Sequence, residues 1–348
     1  MSLTNFFIDL AERGLVPDFL IRTGIRNLCK KRLNQCLTDD CEANAELAEK
    51  YINESDASPM AVLTEKANEQ HYEVPAEFYR HALGKNFKYS SCYYDKQTHS
   101  LSDAEDLALR LTCEHAHLEN GQDILELGCG WGSLSLWMAK QFPESNITSV
   151  SNSHSQREYI LEQARKRGLE NLRVITADVN AFETDSTFDR IVSVEMFEHM
   201  RNYQELLKKI HDFLKPNGKL FVHIFSHKEM LYPFEDKGDG DWMAREFFSG
   251  GIMPSHKLLL YFQDHLKIDK VWHFSGEHYS KTSWAWLNKM DKNKAKIIEI
   301  FSETYGEKDA KKWWQRWRIF FMSCAELFGI ENGLQWGVSH YRFEKPGA

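Results

Sequence analysis

The pattern of apolar and polar positions divides the chain into two parts with different predicted secondary structure. Over residues 1–115, apolar side chains recur at the three-to-four-residue spacing of amphipathic helices, as in 16–36 and 103–117. From residue 122 onward, short apolar runs of strand length alternate with segments of helical spacing. We therefore predict a helical N-terminal extension, 1–115, followed by an α/β core, 116–348.

Strands and helices alternate through the first part of the core. The predicted strands are 122–127, 146–151, 172–176, 190–194, 219–225, 268–275 and 335–343, and the predicted helices between the first five are 133–141, 155–167 and 203–214. Such alternation builds a mostly parallel sheet with helices on both faces, and we expect the last strand to run antiparallel. Ligands of these sheets bind at the carboxyl ends of the strands.

Two segments interrupt the alternation. Residues 227–261 are rich in glycine, aspartate and aromatic residues, and we predict that they form a lid over the ligand site. Residues 282–328 show helical spacing in two stretches, 282–305 and 307–328, and are predicted to form a helical insertion.

Composition and charge exclude some classes of function. The 348 residues are 42% apolar and 27% charged, which is ordinary for a globular protein, and the net charge of −8 argues against a nucleic-acid substrate. The 7 cysteines are scattered without a C-x-x-C pair, so neither a disulfide framework nor a metal site is predicted. This cysteine usage fits a cytoplasmic location. No apolar stretch reaches the roughly 18 residues of a transmembrane helix, so stable membrane insertion is not expected.

The most informative motif follows the first predicted strand. Residues 126–132 are Glu-Leu-Gly-Cys-Gly-Trp-Gly, directly before a predicted helix. Glycines allow a sharp turn and a close approach of the backbone to a ligand, and the helix N-terminus offers free N–H groups. The G-x-G-x-G spacing resembles motif I of class I S-adenosylmethionine-dependent methyltransferases, which implies a Rossmann-like methyltransferase fold. Glu126, Gly128, Gly130 and Gly132 are predicted to bind the cofactor; the alternative is a purely structural turn.

The ends of the next three strands supply further candidates. The second strand ends without the carboxylate that many nucleotide-binding sheets use for the ribose, so Asn152 or nearby groups are expected to take that role. Asp178, with Val179, follows the third strand and can accept a hydrogen bond from the adenine amine. Val194 ends the fourth strand and is also assigned to the cofactor site.

Two carboxylates and an imidazole follow the fourth strand within five residues: Glu195, Glu198 and His199. Methyl transfer from a sulfonium needs an oriented nucleophile and a group that removes its proton, and carboxylates and histidine suit that task. Carboxylates also attract a cationic amine. The alternative is that Glu198 and His199 only cap the following helix.

The wider sequence resembles the cyclopropane fatty acid synthase-like superfamily, and most closely its coclaurine N-methyltransferase-like branch. The resemblance extends over nearly the whole chain. The matching stretches are residues 13–17, 72–78, 91–94, motif I, 197–203, 241–242, 253–255, 261–264 and 332–333.

This resemblance implies several residue roles. The glutamate–histidine pair that acts on the amine corresponds to Glu198 and His199, and an upstream glutamate of that branch corresponds to Glu77. In the fatty acid branch a glutamine, here Gln156, contacts the cofactor, and Ser91 is assigned to the cofactor site as well.

The fatty acid branch also implies a bicarbonate base held by four residues, which correspond to Cys92, Glu198, His223 and Tyr279. We expect these four side chains to meet in one polar cavity beside the methyl donor. The chain departs from each branch once, since the plant branch has phenylalanine at position 279 and the fatty acid branch has tyrosine at position 90.

The leading hypothesis is S-adenosylmethionine-dependent N-methylation of a small, partly aromatic amine. The acidic residues at the fourth strand and the 10 tryptophans support it, because aromatic faces stabilise ammonium groups. The alternative is methylation or cyclopropanation of an unsaturated acyl lipid with bicarbonate as the base. A non-catalytic cofactor-binding protein is a third hypothesis, and a homodimer is a candidate assembly.

Overall fold

The computed structural model describes residues 3–36, 40–61 and 74–346. Tyr72 and Glu73 of the matching stretch 72–78 lie outside these residues. Among the described residues, no helix is long and apolar enough to cross a membrane.

Twelve helices and nine strands are named here in chain order. The helices are α1 Leu3–Glu12, α2 Asp18–Cys36, α3 Cys41–Asp56, α4 Ala76–Ala82, α5 Leu101–His115, α6 Ser133–Gln141, α7 His154–Lys166, α8 Tyr203–Phe213, α9 Trp242–Glu246, α10 Glu277–Lys292, α11 Lys294–Tyr305 and α12 Ala310–Gly329. The strands are β1 Asp123–Leu127, β2 Asn146–Ser151, β3 Leu172–Thr176, β4 Phe188–Val194, β5 Leu214–His227, β6 Tyr232–Pro233, β7 Ile252–Met253, β8 Lys267–Ser275 and β9 Trp336–Glu344.

Seven strands form one sheet in the order β3-β2-β1-β4-β5-β9-β8. The pairs from β3 to β5 are parallel, whereas β9 runs antiparallel to both β5 and β8. The predicted fold class is therefore confirmed: the sheet is mostly parallel and its last strand is antiparallel. The reversal of strand order between β1 and β4 places a binding crevice at their carboxyl ends.

Neighbouring residues of the central strands pack on opposite faces of this sheet. Ile124 and Val192 face a core formed with α5, α6 and α7, whereas Leu125 and Ile191 face a core formed with α8. This alternation follows from the two-residue period of a strand, and burial on both faces explains the continuous apolar runs. Helix α5, which was predicted as part of the N-terminal extension, thus packs directly against the sheet.

A third core, rich in aromatic residues, lies above the carboxyl edge of the sheet. It joins α2 and α4 to the predicted lid and to α10–α12, around buried rings such as Phe78, Phe247 and Trp317. Arg318 of α12 links these layers, because its guanidinium donates to Asp18 at 2.9 Å and to Asp291 at 2.8 Å. The cavity described below lies between this aromatic core and the sheet.

The helical insertion differs from its prediction in one respect. The helix expected over 282–305 is two helices, α10 and α11, which meet at Asn293. The Asn293 side chain donates to the carbonyls of Lys289, at 2.8 Å, and His81, at 3.2 Å. An asparagine that bonds nearby backbone groups in this way ends a helix locally, and apolar spacing alone does not reveal such a break.

Candidate active site

The glycine turn after β1 forms the floor of the cavity. Gly128 and Gly130 have φ of +80° and +50°, a region that favours glycine. A Cβ on Gly128 would lie 2.7 Å from Met196 Cγ, whereas a Cβ on Gly130 would meet no atom of the described residues within 4 Å. Both residues line the cavity. The turn therefore leaves open space above Gly130, where a ligand can approach the backbone.

Most residues predicted to bind the cofactor line one continuous cavity along the carboxyl edge of the sheet. They are Glu126, Gly128, Gly130, Asn152, Gln156, Asp178, Val179 and Val194. Gly132 lies behind the cavity and begins α6, where a Cβ would come within 2.5 Å of Ile160. Its role is to shape the turn.

Gln156 is positioned to hold an anionic group of the cofactor. Ser151 Oγ donates to its Oε1 at 2.7 Å, which orients the amide. Its Nε2 is buried and has no hydrogen-bond partner among the described residues, and neither has Ser133 Oγ at the start of α6. An unpaired buried donor is costly unless a ligand satisfies it, so these two atoms fit a carboxylate such as that of S-adenosylmethionine.

Asp178 also lines the cavity, just after the carboxyl end of β3. Its Oδ1 accepts a hydrogen bond from the Asn180 N–H at 2.7 Å, which fixes the carboxylate at the cavity wall beside Ala177 and Val179. An apolar surface next to a carboxylate suits an adenine ring and its amine.

The Glu126 carboxylate is bonded to side chains of the protein, whereas a ribose-binding acid would face the ligand. Its Oε2 accepts from Ser149 Oγ at 2.8 Å and from Ser135 Oγ. Burial raises the pKa of Glu126 to about 7. The side chain therefore joins β1, β2 and α6 beneath the glycine turn.

The part of the cavity lined by the predicted cofactor-binding residues is called the cofactor half, and the remaining part is called the acceptor half. Glu195 is the carboxylate that faces the acceptor half. Its φ of +49° is unusual for a residue with a Cβ, and such strain persists mainly where the surrounding structure holds it. Tyr279 OH donates to Oε2 at 2.7 Å, the Ser91 N–H donates to Oε1 at 2.9 Å, and His223 Nε2 lies 3.2 Å from Oε1. The carboxylate is thus fixed by three groups from three distant parts of the chain.

Lys88 is a buried cation close to this carboxylate that the sequence did not reveal. Its Nζ donates to Ser90 Oγ and to the Ser91 carbonyl, each at 2.6 Å. Burial raises the pKa of Glu195, and the positive charge of Lys88 opposes that rise. The short stretch from 87 to 92 has no helical or strand period, so nothing marked this lysine as buried.

Glu198 lies behind Glu195 and does not line the cavity. The Phe225 N–H donates to its Oε1 at 2.7 Å, and Oε2 is buried without a partner among the described residues. Burial and the neighbouring charge of Glu195 raise the pKa of Glu198 well above its usual range. His199 does line the cavity, and its ring centroid is 4.6 Å from that of Phe248.

Of the four residues predicted to meet in one polar cavity, Tyr279 lines the cavity, whereas Cys92, Glu198 and His223 do not. His223 and Tyr279 converge on Glu195 instead, which is a correction to the predicted arrangement. The Cys92 thiol contacts the Ser90 carbonyl at 3.8 Å and is buried, which raises its pKa to about 12. The physical reason is that the Glu195 side chain already fills the position between these donors.

Two further predicted residues lie away from the cavity lining. Glu77 is exposed on α4 and pairs with Arg80 at 2.9 Å and His81 at 3.3 Å. Ser91 approaches the acceptor side through its backbone N–H, which binds Glu195, and not the cofactor half.

Aromatic side chains enclose the acceptor half. Phe225, Phe234 and Phe248 pack with ring centroids 5.0–5.6 Å apart. Phe328 stacks on Tyr279 at 4.3 Å. The predicted lid supplies Phe234, Met243, Phe248 and Met253 to the cavity wall. The acceptor half is therefore an aromatic cage beside a carboxylate.

A glycine turn at the switch point of this sheet, with unpaired donors for an amino-acid carboxylate, defines an S-adenosylmethionine-dependent methyltransferase. The family model for mycolic acid cyclopropane synthetase matches residues 62–335. The chain belongs to this family.

Individual relatives agree with this assignment. The chain is 38% identical over 338 residues to (S)-coclaurine N-methyltransferase of Thalictrum flavum subsp. glaucum, covering 96% of this chain and 94% of that protein. A crystal structure of coclaurine N-methyltransferase bound to N-methylheliamine and SAH superposes with a TM-score of 0.94 at 36% identity, covering 97% and 99% of the two chains. Cyclopropane-fatty-acyl-phospholipid synthase of Escherichia coli (strain K12) is less similar, at 28% over 282 residues, 76% of this chain and 69% of that one.

Proposed function

We propose that this methyltransferase N-methylates a small, cationic, partly aromatic amine, with Glu195 as the base. The observation that carries the proposal is a fixed carboxylate facing an aromatic cage on the acceptor side of the cofactor cavity. Relatives named as coclaurine N-methyltransferases support the substrate class.

The aromatic cage binds and orients the amine. Ring faces attract an ammonium group by about 0.5–2 kcal/mol each when water is excluded. Phe225, Phe248 and Phe328 line the cavity on the same side as Glu195, so the ammonium can approach the carboxylate while its aromatic part contacts the rings. His199, beside Phe248, is placed to contact the substrate as well.

Glu195 is suited to remove the proton. A bound S-adenosylmethionine supplies an electrophilic methyl group on sulfur, so the amine needs only a free lone pair. Burial raises the pKa of Glu195 towards that of an effective general base, and burial together with the neighbouring Glu195 charge raises the pKa of Glu198 well above its usual range. Because two adjacent buried carboxylates repel each other, one carboxyl group can stay neutral while the other acts as the base.

The acyl-lipid alternative has less support. The donors expected to hold bicarbonate, His223 and Tyr279, already bind the protein's own Glu195 carboxylate. We infer that Glu195 replaces the external anion, so the enzyme needs no bicarbonate. A role in lipid biosynthesis also lacks support from the more similar relatives.

Substitution of the carboxylates tests the proposal. We expect Glu195→Gln to lower kcat by about 100-fold or more on amine substrates while SAH affinity stays unchanged, the usual scale for loss of a general base. Glu198→Gln, which mimics a neutral acid, is the matched control and should cost about tenfold less. Normal turnover by Glu195→Gln would show that the carboxylate is structural.

Glu195→Gly distinguishes the two chemistries. Glycine accepts the φ of +49°, and this relief of backbone strain offsets part of the cost of leaving the donors from Tyr279 and Ser91 without their acceptor. We expect formate or bicarbonate to restore part of its amine activity by occupying the vacated position. Formation of cyclopropane lipid by the wild type with unsaturated phospholipid vesicles and bicarbonate would overturn the amine proposal.

Cellular location and assembly are further proposals. We propose a cytoplasmic enzyme, and a homodimer is the assembly to test by sedimentation velocity.

A further inference from the structure

A chain of three histidines runs from Glu195 across one face of the sheet, over β5 and β9 towards Trp272 of β8. His223 Nε2 is 3.2 Å from Glu195 Oε1, and His223 Nδ1 is 2.9 Å from His340 Nε2. His340 Nδ1 is in turn 2.9 Å from His115 Nδ1. Each contact is within hydrogen-bond distance, so the carboxylate and the three imidazoles form one continuous series.

The fold positions these rings on three elements. His223 on β5 and His340 on β9 are directly opposite each other in the antiparallel register. His115 is the last residue of α5, and its ring stacks on Trp272 of β8 at 3.9 Å with an interplanar angle of 8°. His223 and His340 are buried, whereas His115 is only half-buried. The series therefore begins at the cavity and ends towards solvent.

The proposed reaction produces one proton that must leave a covered site. A cationic secondary amine carries two protons on nitrogen, and one passes to Glu195. The lone pair then forms the new N–C bond while the methyl–sulfur bond breaks and its electrons remain on sulfur. The product leaves as a tertiary ammonium with the second proton, so Glu195 must lose its proton before the next turnover.

We propose that His223, His340 and His115 form a proton path from Glu195 to solvent, which resets the base in each cycle. This inference rests on the proposed function. The three histidines are positioning and relay residues, because Glu195 lines the cavity and these three rings do not.

The environment keeps the imidazoles in the form that such a path requires. Burial lowers the pKa of His115 to about 4 and those of His223 and His340 well below their usual range. The cationic groups Lys88, Arg342 and His117 (when protonated) reinforce this shift, whereas the Glu195 carboxylate, 3.2 Å from His223, opposes it at that ring. A neutral imidazole has one donor and one acceptor nitrogen, so a proton can enter at one nitrogen while another leaves from the other.

The competing explanation is that the histidines only satisfy each other's buried polar atoms. Both explanations predict a loss of activity on substitution, but they differ in how the loss depends on the substrate. A proton path matters only for an amine that arrives protonated. A structural role affects all amines alike, whatever their basicity.

His340→Gln is the informative variant, because glutamine fills a similar volume and hydrogen-bonds but cannot exchange a proton between two nitrogens. His273→Gln is the matched control. His273 lies on the neighbouring strand β8, contacts Ser339 Oγ at 2.9 Å and stacks on His256 at 4.0 Å, outside the series.

The experiment has two readouts. Proton release on mixing the enzyme–SAH complex with a strongly basic amine is followed by stopped flow with a pH indicator. Turnover is then measured for two aromatic amines of similar shape, one strongly basic and one fluorinated so that it is neutral at the assay pH.

We expect His340→Gln to slow proton release and to lower kcat about tenfold or more for the basic amine, but less than about twofold for the neutral one. His273→Gln should match the wild type for both. An equal loss on both amines, or unchanged proton release, overturns the path. Absence of N-methylated product from the wild type with either amine would instead overturn the proposed function.

Discussion

The two halves of the cavity are built in different ways. The cofactor half comes from consecutive strand ends: the turn after β1, Gln156 after β2 and Asp178 after β3. The acceptor half is assembled around Glu195 from Ser91, His223 and Tyr279, which come from a loop before the sheet, a central strand and a helix after it. The proposed cofactor site thus rests on local motifs, whereas the position of the proposed base, Glu195, depends on contacts between distant segments.

The largest expected effect is a loss of cofactor affinity in Gly130→Val. The side chain would occupy the open space at the turn, at a φ of +50° that a β-branched residue resists. We expect SAH affinity to fall by about 100-fold or more in calorimetric titration.

Gly168→Val is its matched control. Gly168 has a similar φ of +66° and open space around its Cβ position, but it lies at the end of α7, outside the cavity lining. It should cost stability and leave SAH affinity unchanged. Equal affinity losses in the two variants would assign the Gly130 effect to backbone strain, and an unchanged affinity in Gly130→Val would contradict the assignment of the turn.

Tyr279→Phe tests whether the Tyr279 hydroxyl sets the pKa of Glu195 in the acceptor half. The Tyr279 hydroxyl donates to Glu195 and lowers its pKa, so removal of this donor should raise that pKa. Because the base must be ionised, the acidic limb of the kcat/KM–pH profile should move to higher pH, by roughly half to one unit for a hydrogen bond of about 1 kcal/mol. SAH affinity should not change.

Tyr341→Phe provides the comparison for this profile. Its hydroxyl donates to the His256 carbonyl at 2.7 Å, away from the cavity. If both variants moved the acidic limb equally, or Tyr279→Phe moved it to lower pH, Tyr279 would not act through Glu195.

The smallest expected effect concerns Glu126. Its folded-state pKa of about 7 exceeds the ordinary value of 4.5, so the folded protein binds a proton that the unfolded chain has lost between these pH values. Its contribution to stability therefore decreases as pH rises from about 4.5 to about 7. We expect Glu126→Gln to flatten the pH dependence of Tm in that window and to be at least as stable as the wild type at pH 8. A steeper dependence in the variant would contradict this assignment.

Features that depend on local sequence were predicted more accurately than features that depend on contacts between distant segments. Strands 146–151 and 172–176 were predicted with the bounds that the structure has, because residues buried on both faces give short, continuous apolar runs. The break at Asn293 was missed, because a side chain that bonds nearby carbonyls ends a helix without changing its apolar spacing. Roles taken from the resemblance were harder to place: Glu77 is exposed, and His223 and Tyr279 bind Glu195 instead of Glu198.

The sequence by itself determined the α/β core and the glycine turn, since these depend on the apolar period and on residues close together in the chain. Only the tertiary structure decided which carboxylate lines the cavity. Glu195 and Glu198 are three residues apart and chemically alike, but one is fixed by Tyr279, Ser91 and His223 while the other is buried behind it. It likewise revealed that Lys88 is buried and that His340 joins His223 to His115. Such contacts arise where strands and helices far apart in sequence pack together, and no local pattern records them.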